Sequence, residues 1–186
     1  MLGTLYEIIT KGLIMKILIV YYSLTGNNEK LALSLQERLH SEIFKIQEIK
    51  KRNKMSILLD LLFKRKSNIF ANNFDFNSFD VFIFISPIWG RIASPMKAML
   101  SQIKEKISKY YFITVCNGEN RQKEKIEAEL HSLVGIKPKG LCELWINDLL
   151  PEDKKNRIQH TFNFKIKNDD FMFFKTKIDS FCNDFI

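Results

Sequence analysis

The chain has 186 residues, 46% of them hydrophobic and 27% charged, a profile that fits one globular domain with a substantial core and excludes disordered, fibrous and low-complexity organisations. Glycine is scarce, with 7 residues beside 4 prolines, so each remaining glycine is a candidate for a position where backbone conformation matters. The formal net charge is +8, but it is carried mostly by Lys in the company of Asn, Ile and Phe, a set that A/T-rich codons supply, so the charge alone does not select a nucleic acid partner.

Residues 1–14 (MLGTLYEIITKGLI) show neither a basic leading region nor a small-residue cleavage site, so they read as an appendage rather than a signal peptide. Met15-Lys16 resembles a second start, and a single domain is expected over residues 15–186. Five short apolar runs follow: 17–22 (ILIVYY), 43–49 (IFKIQEI), 81–85 (VFIFI), 110–115 (YYFITV) and 141–146 (LCELWI). The first, third and fourth are almost continuously apolar and rich in β-branched and aromatic residues, as strands covered on both faces are. The second and fifth are interrupted by Lys45, Gln47, Glu48 and Glu143, the pattern of half-solvated edge strands.

Helical periodicity fills the gaps. Residues 28–39 place Leu31, Leu35 and Leu39 on one stripe. Ser94-Pro95 predicts an N-cap with proline at the first helical position, leading into Met96, Met99, Leu100 and Ile103. Residues 119–133 carry Ile126, Leu130 and Leu133 on a face, with Gly135 set to end the helix. Residues 169–185 predict one closing helix, residues 57–63 a short extra one, and residues 151–167 an irregular loop. Alternating strands and helices imply right-handed crossovers and a parallel sheet. The expected fold is therefore α/β, a three-layer doubly wound five-stranded parallel sheet of order 2-1-3-4-5, with the two polar runs at the edges.

Cys116, Cys142 and Cys182 are odd in number and lack CxxC spacing, so neither a zinc site nor a disulfide framework is implied, and a reducing cytoplasm is expected. No run approaches about 18 apolar residues, so no membrane span is expected. The densest basic segment, residues 50–66, reads as a solvated surface, or as a docking site for an acidic partner or a membrane surface.

Ligands of a doubly wound sheet bind beyond the carboxyl ends of the strands, where the winding reverses. After the first strand comes Ser23, Leu24, Thr25, Gly26, Asn27 and Asn28, a hydroxyl-rich turn running straight into a helix. Such a turn offers free N–H groups and a positive dipole end to an anion, and it also serves as a plain capped turn. It holds no Lys, which excludes a Walker A loop. After the third strand, Pro87, Ile88, Trp89 and Gly90 combine a stiff residue, an indole and a flexible residue: a platform for a flat ring, or a Trp packed back onto the sheet. Cys116, Asn117, Gly118 and Glu119 form a small polar turn after the fourth strand, which also reads as a helix N-cap with Glu in the first turn. Gly26, Gly90 and Gly118 thus share one predicted rim.

With Ser23-x-Thr25-Gly26-Asn27 after the first strand, Pro87-x-Trp89-Gly90 after the third, and Pro95-Met96-Lys97 beyond, the sequence resembles the FMN-binding flavodoxin family from Lys16 to the C-terminus. The resemblance implies FMN as cofactor. The loop of Ser23, Leu24, Thr25, Gly26, Asn27 and Asn28 would take the phosphate. The loops of Pro87, Ile88, Trp89, Gly90 and of Cys116, Asn117, Gly118 would take the isoalloxazine, with Trp89 stacking and Gly90 free to turn a carbonyl toward flavin N5. It implies electron transfer to a redox partner protein or a small-molecule acceptor, or NAD(P)H-dependent reduction of a quinone or similar acceptor. The sequence departs from the family at Asn28, where a hydroxyl is usual, in the absence of an aromatic from the loop after the fourth strand, and in its basic charge.

Other readings of the same fold fail on residues. A receiver domain needs acids after the first strand and an Asp ending the third, where Tyr21, Tyr22, Ser23 and Ser86 stand. A Cys-x5-Arg phosphatase loop is excluded because Arg121 follows Cys116 one residue too soon. His40, His131 and His160 have no partners at metal-ligand spacing. A flavin-free protein acting through residues 50–66 is the non-enzymatic alternative.

Overall fold

The computed structural model describes residues 15–48, 69–70, 74–118 and 122–183. Strand β1 (Ile17–Tyr21) leads into helix α1 (Asn27–Leu39), then edge strand β2 (Glu42–Lys45). Two short strands, β3 (Gln47–Glu48) and β4 (Ile69–Phe70), pair antiparallel beside the main sheet. Then come β5 (Val81–Ile85), α2 (Ser94–Ile103), β6 (Tyr110–Cys116), α3 (Gln122–Val134) and β7 (Gly140–Trp145). The chain closes with α4 (Ile146–Leu149), α5 (Ile158–Phe162), α6 (Asp170–Phe173) and α7 (Lys175–Asn183).

The main sheet is parallel, in the order β2-β1-β5-β6-β7. Counting its own five strands along the chain, this is the expected 2-1-3-4-5. Alternation within the apolar strands supplies two cores. One face sends Val20, Phe84 and Phe112 toward Met96, Leu100 and Ile126 of α2 and α3. The other sends Ile19, Ile83 and Ile113 toward Leu31, Ile178 and Phe181 of α1 and α7. Central residues such as Ile83, Phe84 and Phe112 are fully buried, each worth about 1.5–3 kcal/mol of apolar transfer.

Several boundaries differ from the periodicity. The second run is not one strand: Ile46, whose N–H still donates to the Tyr21 carbonyl of β1 (2.8 Å), separates β2 from β3, and β3 pairs with β4. The closing helix is two helices, broken at Phe174, which is buried and has left helical geometry (φ −90°, ψ 4°). Residues 151–167, expected as loop, contain a 3₁₀ turn (Glu152–Lys154) and α5. Ser94 lies inside α2, with Ala93 in the capping position. The appendage 1–14, the helix expected at 57–63 and the basic segment 50–66 fall outside the described residues. Among the described residues no helix is long and apolar enough to cross a membrane.

Candidate functional site

The carboxyl ends of β1, β5 and β6 meet where the sheet reverses its winding, and a cleft open to solvent lies over them. Three loops predicted from the sequence line it together: Leu24, Thr25, Asn27 and Asn28 after β1, Pro87, Ile88 and Trp89 after β5, and Cys116 and Asn117 at the end of β6. Ser23, Gly26, Gly90 and Gly118 shape these loops rather than line the cleft.

The loop after β1 is fixed at both ends. Gly26 caps α1 in the left-handed region (φ 89°), and its N–H donates to Ser23 Oγ at 3.1 Å. The first N–H groups of α1 have no intrahelical acceptor. Both asparagines spend their side chains on the scaffold. Asn27 donates to the Phe164 carbonyl (2.9 Å) and accepts from the Ile166 N–H (3.1 Å). Asn28, 3% exposed, donates to the Val115 carbonyl (3.1 Å) and accepts from its N–H (2.9 Å). Strand β5 ends at Ile85, and Pro87 beyond it has no N–H. The Asn28 carboxamide therefore takes the place a neighbouring strand would have held along β6.

The loop after β5 is a tight reversal. Ile88 and Ile92 pair across it and are buried, Trp89 N–H donates to the Arg91 carbonyl (3.0 Å), and Gly90 sits at the exposed tip with φ 64°. Glu129 of α3 holds its base, accepting from the Ile92 N–H (2.9 Å) while paired with Lys97 (2.5 Å). Trp89, half-buried, is thereby carried on a braced element.

At the end of β6, Gly118 is in the left-handed region (φ 88°), and a Cβ there would lie 2.6 Å from the Trp145 ring. That indole N–H donates to Glu143 (3.2 Å), whose other oxygen accepts from Gln122 (2.8 Å). Burial first, then the Glu143 charge, push the Cys116 thiol up to about 12. Such a thiol is a packed side chain, not a nucleophile. Glu119 lies outside the described residues.

The cleft has a further wall that sequence periodicity missed. Ile146, Thr161 and Phe162 join the lining, and the Phe162 ring faces Trp89 at 6.5 Å between centroids and 31° between planes. The loop after β6 offers no aromatic, so the second ring comes from α5. A little further on, the Lys165 ammonium donates to the Thr25 carbonyl, which brings a cation to the lysine-free loop after β1. The weak signal for both was the Thr-Phe-Asn-Phe-Lys-Ile stretch at 161–166, apolar at Phe162, Phe164 and Ile166, inside a segment otherwise polar.

No family model matches the sequence, and no curated protein does. Among solved structures, the chain is similar to a flavoprotein of Lactobacillus acidophilus in complex with FMN, at TM-score 0.61 and 24% identity, over 70% of this chain and 93% of that one. It is similar also to the apo form of the flavoprotein from the same organism, at TM-score 0.59 and 23% identity, over 78% of this chain and 99% of that one. A Bacteroides eggerthii protein proposed to be a flavoprotein matches over 88% of this chain and 98% of its own, at TM-score 0.59 and 12% identity. Sheet order, crossover pattern and these likenesses give the chain a flavodoxin-like fold.

Proposed function

We propose that the cleft binds FMN without a covalent bond and that the protein is a flavodoxin-like redox protein. The observation that carries this reading is the convergence of an anion-suited helix start and a pair of facing aromatic rings in one cleft at the sheet's switch point. The similar Lactobacillus acidophilus structure, which contains FMN, supports it.

The residues present fit the cofactor. Gly26 gives the backbone a close, side-chain-free approach at the start of α1, with nothing within 4 Å of where a Cβ would lie. The aromatic walls suit a flat ring. Trp89 and Phe162, whose rings stand 6.5 Å apart at 31°, are the aromatic groups that would meet it.

In this reading FMN supplies the chemistry, accepting and releasing one or two electrons. The chain's own residues bind and orient. The loop Ser23, Leu24, Thr25, Gly26, Asn27 and Asn28 takes the phosphate, Trp89 and Phe162 hold the ring and exclude water from its faces, and Asn117 offers polar contact at the ring edge. Gly90 lets the peptide at the loop tip reorient. In this reading no side chain among the described residues needs to act as acid or base, so the protein's control over reactivity is positional and electrostatic. The natural role that follows is a cytoplasmic electron carrier serving a partner protein or a small acceptor. An NAD(P)H-dependent reductase is separated from a carrier by one experiment. Purified protein loaded with FMN is mixed anaerobically with NADH or NADPH, and visible absorbance is followed. Flavin bands that persist until a partner reductase is added fit the carrier; rapid bleaching by the nicotinamide alone refutes it. A protein that never acquires flavin bands on incubation with FMN refutes the reading altogether.

A further inference from the structure

The stretch from Thr161 to Ile166 follows the last strand of the sheet, far in sequence from the three loops of the cleft, yet it is fastened to the loop after β1 at several points. Asn27 holds the Phe164 carbonyl and the Ile166 N–H, Lys30 Nζ donates to the Ile166 carbonyl at 2.8 Å, and Ile166 itself is fully buried. Phe164 and Ile166 pack into the apolar core on the α1 side. Between these anchored residues, Lys165 reaches back across the loop to the Thr25 carbonyl. Its ammonium is therefore held by the fold at Thr25, a cleft-lining residue two positions before α1 begins.

Resting on the FMN reading, we propose that Lys165 is the countercharge for the flavin phosphate and makes this cleft selective for phosphorylated flavins over riboflavin. An ammonium has three donors. One reaches Thr25, and the others remain for a phosphate ester carrying about −1.5 to −2 charges near neutral pH. The helix start alone offers partial charge; Lys165 adds a full one. The segment from Thr161 to Ile166 then serves both ends of the ligand, Phe162 at the ring and Lys165 at the phosphate.

The test compares dissociation constants of FMN and of riboflavin for the wild type, Lys165→Gln and Lys165→Arg, at low and at high salt. Lys165 is exposed, so its replacement leaves the melting temperature unchanged. Lys165→Gln weakens FMN about tenfold at low salt, as loss of one charge-assisted bond partly screened by water does, and the gap narrows at high salt. Riboflavin binding changes less than about twofold, and Lys165→Arg restores most of the FMN affinity. Unchanged FMN affinity in Lys165→Gln, or equal loss for both ligands, overturns the assignment of Lys165 while leaving the FMN reading intact. A wild type that binds neither ligand overturns both.

Discussion

Replacing Asn28 by Ala tests whether a side-chain amide holds the rim of the cleft together. Asn28 is 3% exposed, and its carboxamide satisfies both the N–H and the carbonyl of Val115 at 2.9 and 3.1 Å. Strand β5 has already ended at Ile85, so no backbone partner is at hand for either group. Truncation leaves a buried donor and a buried acceptor unmade, each worth about 1–3 kcal/mol. Water entering from the adjoining cleft recovers part of this, which leaves a loss of about 2–4 kcal/mol. For a chain of this size that lowers the melting temperature by about 5–15 °C. Urea unfolding followed by far-ultraviolet circular dichroism gives the comparison, with the midpoint falling and the slope unchanged. A loss below about 0.5 kcal/mol, the range of an ordinary surface change, would refute the clamp.

Gly118→Ala combines a left-handed backbone with a Cβ 2.6 Å from the Trp145 ring, so it destabilises by about 2–4 kcal/mol in urea titration. Gly26→Ala has the same backbone strain but open space around it, and costs only about 1–2 kcal/mol. Trp89→Ala weakens FMN by about 1–3 kcal/mol and Phe162→Ala by about 0.5–1.5, read by calorimetric titration. Burial, the largest cause in each case, holds the Cys116 thiol up at about 12 and the Cys142 thiol at about 11, whereas unfolded thiols ionise near pH 8.5. The folded values are the higher, so this stability is intact below about pH 8.5 and is lost as pH rises toward those values. The urea midpoint therefore falls from about pH 9 upward, and Cys116 resists alkylation in the folded protein at about pH 8.

The layer architecture was legible because three strands are buried on both faces and leave uninterrupted apolar runs, and because the edge strands carry charge. The rim loops were legible for a related reason: Gly26, Gly90 and Gly118 all adopt positive φ, a demand that few residues other than glycine meet. Side-chain work was harder to read. Asn27 and Asn28 look like loop polars in sequence, and only the fold brings Phe164, Ile166 and Val115 within reach of their amides. Phe162 was missed because helix α5 is five residues long, too short for periodicity to register, and Lys165 because it lies in the irregular stretch beyond that helix. Their value comes from long-range contact, which local pattern does not encode. The break at Phe174 was hidden for the opposite reason: the apolar spacing of residues 169–185 continues smoothly through it, so periodicity does not mark it.

The most direct measurement is a titration of flavin-free protein with FMN, followed by quenching of flavin fluorescence and by heat. The account predicts a single site with a dissociation constant of about 1 μM or tighter and a shift in the visible flavin bands as the ring enters the aromatic walls. Fluorescence that stays unquenched, with no heat of binding at protein concentrations of about 100 μM, would contradict it.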